Sequence, residues 1–340
     1  MKTPSTSIIS NHNFHKRLPG VLVCIVIALI AFAISQYVPT LSALIIAIVF
    51  GILLCNLTNI PTILGPGITW SSKYLLRAGI VLLGFQLSLK GILALGLPMV
   101  FVAISVVGIG IIGTVLIGAV MKIKKTQTLL IACGFSICGA AAVAGIEDLV
   151  EADEEDTITA IALVVLFGTL MIPIIPFLTH WWGLNPEFAG KWAGASVHEV
   201  AQVVAIGGTL GPIAMNYAVV VKLTRVLMLA PVAAILNLKM RHAHKDNSPH
   251  VKANTPPIVP VFILGFIGMV ILRSLIDFPQ TMVHSASVLQ TILLTAAMFG
   301  LGCGVRVKKL MGLGWKPLML AGFSTILVTF IGFGGVALTS

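Results

Sequence analysis

Long apolar runs separated by short polar loops fill most of the chain. The runs are about 17 to 25 residues long, which is the length that an α-helix needs to cross about 30 Å of hydrocarbon. Transmembrane strands would instead alternate apolar and polar residues in segments of about ten, and no part of the sequence shows that alternation. The pattern predicts an all-α polytopic membrane protein with about eleven transmembrane helices. The predicted segments are residues 18–34, 41–57, 74–89, 98–121, 128–145, 157–178, 190–208, 213–238, 258–275, 282–304 and 317–338.

Composition agrees with this class. Hydrophobic residues make up 58% of the chain and charged residues only 9%, whereas about a quarter of the residues in soluble domains are charged. The formal net charge of +10 lies in short loops beside apolar runs, so we expect contact with membrane lipid and no nucleic acid. The five cysteines fall in or beside apolar runs without paired spacing, so neither a disulfide framework, a metal site nor a cofactor is predicted.

Basic residues predict how the chain is oriented in the membrane. With the N-terminus in the cytoplasm, seventeen of the 21 Lys and Arg residues fall on the cytoplasmic side, among them Lys124 and Lys191, as the positive-inside rule requires. Residues 18–34 could also be a cleaved signal, but a retained first helix is favoured. The prediction is a single transmembrane domain over residues 1–340, with a cytoplasmic tail at 1–17, an acidic external loop at 147–156 and a cytoplasmic loop at 239–257.

Two segments rich in small residues match each other at an offset of 60, with Gly134 and Ser136 corresponding to Gly194 and Ser196. One interpretation is close helix packing. The other is that both helices are broken near the bilayer midplane and expose N-terminal N–H groups to an anion. The predicted helix-breaking glycines are Gly134, Gly139, Gly145, Gly194, Gly207 and Gly208.

A second match relates Leu83-Gly84 to Leu301-Gly302 at an offset of 218. The predicted third and tenth helices run in opposite senses, which is typical of an inverted repeat. The fifth and seventh run in the same sense, which does not fit one simple inverted duplication. Either one match is spurious, or one broken segment re-enters the membrane instead of crossing it.

Ionisable side chains inside the apolar runs are the candidate functional groups. His198 and Glu199 lie within the second small-residue segment. Lys222 and Arg225 lie three residues apart in the next run, so these two side chains share a helix face. Such groups are costly in a membrane, and by default they mark a substrate path or a proton relay.

The roles of these residues follow from their chemistry. The predicted substrate-binding residues are Arg225, Lys222, Ser136, Ser196 and Gln202. A guanidinium stays charged when desolvated, and hydroxyl and amide groups can complete the hydrogen bonding of an oxyanion. Glu199 and His198 are the predicted proton-coupling pair, because imidazole titrates near neutral pH. The structural alternative is an ion pair between Glu199 and Arg225 or Lys222, with His198 as a hydrogen-bonded strut.

Four blocks carry a family resemblance: residues 75–84, 136–139, 194–208 and 221–231. Together they resemble the YeiH-type family of bacterial inner-membrane proteins, which are labelled as sulfate exporters. The layout is more distantly similar to the bile-acid symporter and cation/proton antiporter group, whose core has inverted repeats with crossing, unwound helices. The resemblance implies a multi-pass secondary transporter in the bacterial inner membrane.

The residues and the resemblance together predict a secondary-active transporter that exports a small anion, sulfate or a sulfonate, with protons as the expected coupling ion. The alternatives are a sodium/proton or organic-anion carrier of the same fold, a channel, or a membrane scaffold. A sodium/proton antiporter would be expected to show paired membrane carboxylates, whereas Glu199 stands alone. An enzyme is not predicted, because Ser196 and His198 would point about 200° apart on a helix. The expected partners are a small anionic solute, membrane lipid and a second copy of the chain in a homodimer.

Overall fold

The computed structural model describes residues 9–37, 42–58, 60–87, 89–245, 261–304 and 314–339. All regular elements among these residues are helices, which confirms the predicted all-α class. The α-helices are α1 (Ile9–Tyr37), α2 (Ala43–Leu57), α3 (Gly65–Trp70), α4 (Leu76–Leu83), α5 (Leu89–Ala94), α6 (Leu97–Val120), α7 (Lys125–Ser136), α8 (Ala140–Ile146), α9 (Glu154–Trp181), α10 (Pro186–Ser196), α11 (Val200–Leu210), α12 (Pro212–Leu227), α13 (Leu229–Lys245), α14 (Val261–Leu275), α15 (Gln280–Gly304) and α16 (Trp315–Thr339). A π-helical turn, Ser71–Leu75, joins α3 to α4, and a 3-10 turn, Gly84–Gln86, follows α4.

Six of the described stretches are long and apolar enough to cross a membrane. They are Lys16–Tyr37, Leu97–Val120, Glu155–Trp181, Pro212–Met240, Gln280–Gly304 and Trp315–Thr339. The helices α2, α11 and α14 are apolar but shorter. A polytopic membrane protein is therefore confirmed, while the total number of spans stays a prediction.

The chain divides into two compact units. The first comprises Met1–Gly79 with Val288–Lys308, and the second comprises Ile80–Ser287 with Lys309–Ser340. All of the predicted site residues belong to the second unit. The prediction of one transmembrane domain stays a prediction. Parts of the predicted cytoplasmic tail and cytoplasmic loop, residues 1–8 and 246–260, lie outside the described residues.

The first small-residue segment folds into a helical hairpin made of α7 and α8. At the start of α7, Lys124 Nζ lies 2.9 Å from Oδ2 of Asp156 in the first turn of α9. The helix α8 then leads back to the start of α9 through residues 147–153. The two arms pack closely, because a Cβ atom on Gly134 would lie 2.8 Å from Cγ2 of Val143. Both ends of this first hairpin therefore lie at the N-terminal end of α9.

The second small-residue segment forms a second hairpin, made of α10 and α11. A Cβ atom on Gly190, early in α10, would lie 2.8 Å from Cα of Ala214 in α12. A Cβ atom on Gly207, late in α11, would lie 2.9 Å from Cα of Met215, also in α12. The entry and the exit of this hairpin therefore both lie beside the start of α12.

The two hairpins begin at opposite ends of α9. This helix has 28 residues, which at about 1.5 Å per residue is long enough to cross a bilayer. The first hairpin precedes its N-terminal end and the second follows its C-terminal end, so α7 and α10 run in opposite directions. That is the relation an inverted repeat requires. Both matched segments turn back instead of crossing, so the two matched segments can run in opposite senses although the predicted fifth and seventh helices did not. Two of the eleven predicted segments are therefore hairpins rather than simple crossings.

Two predicted relations between the sides of the membrane are wrong as a result. The acidic loop at 147–156 was predicted on the side opposite Lys124, but Lys124 is ion-paired with Asp153 and Asp156. Lys191 was predicted on the same side as Lys124, but it lies in α10, at the other end of α9. If a hairpin is counted as a crossing, every loop between it and the next hairpin is assigned to the opposite side of the membrane. Hydrogen bonds to Asp153 and then Asp156 hold the pKa of the exposed Lys124 above its usual value.

The second internal match also corresponds to a repeated contact. In the second unit, a Cβ atom on Gly84 would collide with the carbonyl oxygen of Phe266 in α14. In the first unit, a Cβ atom on Gly302 would collide with the carbonyl oxygen of Ile48 in α2. Gly302 lies 218 residues after Gly84, and Phe266 lies 218 residues after Ile48, which is the predicted offset. The same close helix contact therefore occurs in each unit, as a structural repeat predicts.

Candidate functional site

The tips of the two hairpins are non-helical and buried. In the first hairpin, α7 ends at Ser136 and α8 begins at Ala140. In the second hairpin, α10 ends at Ser196 and α11 begins at Val200. The match at an offset of 60 therefore aligns the two tips. His198, Glu199, Gln202, Lys222 and Arg225, called the tip cluster below, all lie at or against these tips.

The helix breaks lie beside most of the predicted glycines rather than on them. Only Gly139 lies in a break, with φ of +79°, where glycine is favoured because it has no Cβ. The other five predicted glycines lie inside helices: Gly134, Gly145, Gly194, Gly207 and Gly208. Their prediction as breaks is wrong. Gly194, for example, allows close approach of α12, since a Cβ atom there would lie 2.9 Å from Cβ of Val221. For Gly134, Gly145, Gly194 and Gly207 the packing interpretation fits, whereas a Cβ atom on Gly208 would meet nothing within 4 Å.

Arg225 joins the two tips through main-chain carbonyls. It is fully buried. Its Nε and Nη2 donate to the carbonyl of Ser136 at 3.1 and 2.8 Å, and Nη2 also donates to that of Phe135 at 3.1 Å. Its Nη1 lies 3.1, 2.7 and 3.0 Å from the carbonyls of Gly194, Ala195 and Val197. All three guanidinium nitrogens are therefore engaged by the ends of α7 and α10.

Lys222 makes a second bridge one helical turn away on α12. Its Nζ donates to the carbonyl of Ile137 at 2.8 Å and to that of Val197 at 2.9 Å, and the side chain is fully buried. Ile137 and Val197 are themselves 60 residues apart, so Lys222 contacts equivalent positions of both hairpins. An ammonium group has three donors, so one donor remains after these two bonds.

His198 connects the second tip to the first hairpin and to α16. Its Nδ1 lies 3.2 Å from the carbonyl oxygen of Phe135, which can only accept, so Nδ1 carries a hydrogen. Its Nε2 lies 3.1 Å from Oγ1 of Thr325, whose hydroxyl also lies 2.9 Å from the carbonyl oxygen of Ala321. The geometry suits the hydrogen-bonded strut of the structural alternative, and the predicted role in proton coupling stays a prediction.

Glu199 lies at the N-terminal ends of α8 and α11, the second helix of each hairpin. Its Oε1 accepts a hydrogen bond of 3.0 Å from the amide of Ala140 at the start of α8. It is also the N-cap of α11 and forms a capping box with Gln202, in which the Glu199 amide donates to Gln202 Oε1 at 3.1 Å. In the described part of the chain, Glu199 forms no ion pair with Lys222 or Arg225. The structural ion pair considered above is therefore not formed.

Ser136 and Ser196 occupy equivalent positions, and the hydroxyl of each lies against a glycine of a neighbouring helix. A Cβ atom on Gly110 of α6 would lie 2.6 Å from Oγ of Ser136, and one on Gly332 of α16 would lie 2.7 Å from Oγ of Ser196. Among the described residues neither buried hydroxyl has a hydrogen-bond partner. In this arrangement it is the main chain of Ser136, not its hydroxyl, that contacts Arg225.

The electrostatics of the tips follow the helix dipoles. The C-terminal ends of α7 and α10, which carry partial negative charge, face Arg225 and Lys222. The N-terminal ends of α8 and α11, which carry partial positive charge, face the Glu199 carboxylate. The prediction left these N-termini open to an anion, whereas in this structure the chain's own carboxylate occupies them.

Sequence reasoning missed three participants. Thr325 is one of four hydroxyl residues in an apolar helix. Gly168 in α9 is one glycine among 33, yet a Cβ atom there would collide with the Gln202 carboxamide. The carbonyls that bind Arg225 carry no sequence signal at all. No cluster of three or more His, Cys, Asp or Glu that could hold a metal lies among the described residues.

Comparison with known proteins identifies the family. A family model described as "Conserved hypothetical protein 698" matches residues 19–321. The chain is 52% identical to a UPF0324 membrane protein of Corynebacterium glutamicum over 99% of this chain and 97% of that protein. It is 39% identical to a UPF0324 membrane protein of Pseudomonas aeruginosa over 95% and 94%, and 34% identical to one of Bacteroides thetaiotaomicron over 89% and 93%. The chain therefore belongs to this family, which confirms the YeiH-type resemblance, while the distant similarity to bile-acid symporters stays a prediction.

Proposed function

We propose that this member of the conserved hypothetical protein 698 family is a secondary-active transporter of a small anion in the bacterial inner membrane. One observation carries the proposal: two opposed helical hairpins meet tip to tip at a buried cluster of Lys222, Arg225 and Glu199. Opposed broken elements that meet at buried charge are the architecture of carriers that expose one site alternately to the two sides. A membrane scaffold has no need to desolvate three ionisable groups.

The sign of the charge favours an anion. Two cationic side chains and one carboxylate leave the tip cluster with a net charge of about +1 when all three are ionised. A cation antiporter would need an excess of carboxylates, and Glu199 is the only one in the tip cluster. Sulfate and small sulfonates suit the hydrogen-bond donors available at the tips.

Sidedness follows from the positive-inside rule applied to the corrected hairpins. Lys122, Lys124 and Lys125 lie beside the base of the first hairpin, so we place that base in the cytoplasm. The second hairpin then enters from outside. The N-terminus remains cytoplasmic, because four predicted crossings, an even number, precede the first hairpin.

Flux measurements in proteoliposomes test the proposal. Purified protein is reconstituted and supplied with radiolabelled sulfate or methanesulfonate under an imposed proton gradient. We expect the wild type to transport at least one anion, Lys222→Met to reduce that flux at least tenfold, and the exposed Lys90→Met to leave it unchanged. Retention of fold is checked by monodisperse gel filtration.

Two outcomes would refute the assignment. The first is that neither anion enters faster than in protein-free liposomes under a gradient of either direction. The second is that folded Lys222→Met transports as fast as the wild type. Uptake of radiolabelled sodium without any anion flux would favour the cation-carrier alternative instead.

A further inference from the structure

The N-terminus of α11 carries a hydrogen-bond donor that has no acceptor in the described part of the chain. The Oε1 atom of Gln202 accepts from the Glu199 amide at 3.1 Å, which holds the carboxamide against this helix end. Its Nε2, on the same carbon, is fully buried and has no partner among the described residues. Leaving a buried N–H group without an acceptor is unfavourable, so this donor indicates a position where an acceptor binds.

Other donors lie at the capping box that Glu199 forms with Gln202. The amide of Ala140, at the tip of the opposite hairpin, donates to Glu199 Oε1 at 3.0 Å. Lys222 lies at the same break, where it donates to the carbonyls of Ile137 and Val197 at 2.8 and 2.9 Å. The acceptor that the structure provides for the Ala140 amide is the Glu199 carboxylate. A carboxylate on backbone amides at a helix N-terminus uses the same chemistry as a bound oxyanion.

We propose that Glu199 occupies the anion site as a tethered competitor, and that a divalent oxyanion such as sulfate binds there only after Glu199 has taken up a proton. This inference rests on the proposed function. It goes further by assigning a position, a substrate charge and a coupling rule. The anion accepts from the Ala140 amide in place of the carboxylate, and also from Nε2 of Gln202, which has no acceptor among the described residues.

Charge balance supports a dianion. With Glu199 ionised, the tip cluster carries a net charge of about +1, and with Glu199 protonated it carries about +2. One proton therefore enters with each dianion, and the cluster returns to neutrality. The protonated carboxyl is also a donor, so protonation removes an acceptor from the site and adds a donor to it.

Among the residues that the structure describes, few ionisable groups surround Glu199, so the proton can be assigned experimentally. The helix α12 presents Lys222 and Arg225, the second tip presents His198, and the first tip presents Cys138. The helix α9 presents Gly168, which has no side chain to titrate. His198 is the alternative proton acceptor, and His198→Gln distinguishes it from Glu199.

Direct binding of radiolabelled sulfate to the purified full chain, between pH 5.5 and 8.5 at constant ionic strength, tests the proposal. For the wild type we expect Kd to rise about tenfold per pH unit at the alkaline end, because one proton is taken up per anion. For Glu199→Gln we expect a Kd that does not depend on pH and equals the wild-type value at acid pH. His198→Gln should keep the wild-type slope.

Gln202→Glu tests the donor. The substitution keeps an acceptor for the Glu199 amide but removes the Nε2 donor, so we expect sulfate affinity to fall more than tenfold at every pH. Gly168→Ala should act in the same direction, because its methyl group displaces the carboxamide. Gly108→Ala is the matched control, since a Cβ atom there meets nothing within 4 Å, and it should bind as the wild type does.

Several results would overturn the proposal. They are a pH slope in Glu199→Gln equal to that of the wild type, loss of the slope in His198→Gln alone, unchanged binding in Gln202→Glu, or no sulfate binding at any pH in either wild type or Glu199→Gln. Anion flux without a pH slope in binding would reject this inference and leave the transporter assignment standing. Binding with the expected pH slope but without flux would support this inference and reject the transporter assignment.

Discussion

Replacing Arg225 with methionine should separate the two hairpin tips. Methionine has similar length and no donors, so the substitution removes all six contacts to carbonyl oxygens. Phe135 keeps a contact to His198 and Val197 keeps its bond to Lys222. The carbonyls of Ser136, Gly194 and Ala195 lose the partner that Arg225 provides, and interrupted helices cannot replace it.

The size of the effect follows from these three carbonyls. At about 1–3 kcal/mol for each unsatisfied buried group, the sum is roughly 3–9 kcal/mol. Relaxation and the relief of desolvating a guanidinium reduce it, and buried charge networks lose about 3–5 kcal/mol when one partner is removed. For a compact unit of this size we therefore expect Tm to fall by roughly 6–20 °C.

Thermal unfolding in detergent, followed by tryptophan fluorescence, measures this change. Lys90→Met is the control, because Lys90 is exposed and lies 3.7 Å from an equally exposed Asp277, and such a pair is worth about 0–1 kcal/mol. A folded Arg225→Met with a Tm within 2 °C of the wild type would refute the reasoning. If that variant also failed to bind sulfate, Arg225 would be a ligand rather than the clamp between the tips.

Two further predictions concern the hairpins. In a background without native cysteines, membrane-impermeant maleimide should label Lys122→Cys and Glu151→Cys from the same side of the membrane and Gly183→Cys from the other; labelling of the first two from opposite sides would contradict the first hairpin. Gly194→Ala should lower Tm, because a Cβ atom there meets Val221 and the main chain of Ala218, whereas Gly208→Ala should leave Tm unchanged or raise it, since nothing lies within 4 Å; equal effects would contradict the packing of α10 against α12.

Much of the architecture could be predicted because it depends on local sequence. Run length and composition decide that a segment is helical and enters a membrane, since a bilayer leaves no other way to satisfy the backbone. The matches at offsets of 60 and 218 can also be found in the sequence, because equivalent helix contacts need small residues at equivalent positions. The gathering of His198, Glu199, Gln202, Lys222 and Arg225 at one place was also foreseeable, because few polar groups are tolerated in such segments.

The direction of the chain after each tip was not foreseeable. A segment that crosses the membrane and a segment that turns back as a hairpin bury nearly the same residues, so hydropathy does not distinguish the two arrangements. The choice became visible only in the ion pair between Lys124 and Asp156 and in the packing of α10 and α11 against the start of α12. For this reason the acidic loop was wrongly separated from Lys124, and Lys191 was wrongly placed on the same side as Lys124.

The sequence by itself determined which groups are charged and that they lie in apolar helices. Only the tertiary structure decided what those charges face, because their partners are main-chain atoms that every residue carries. Arg225 and Lys222 face carbonyls at two helix C-termini, and Glu199 faces an amide of the opposite hairpin. These pairings depend on the direction of each broken helix, and that direction is set by the packing of the hairpins against α9 and α12.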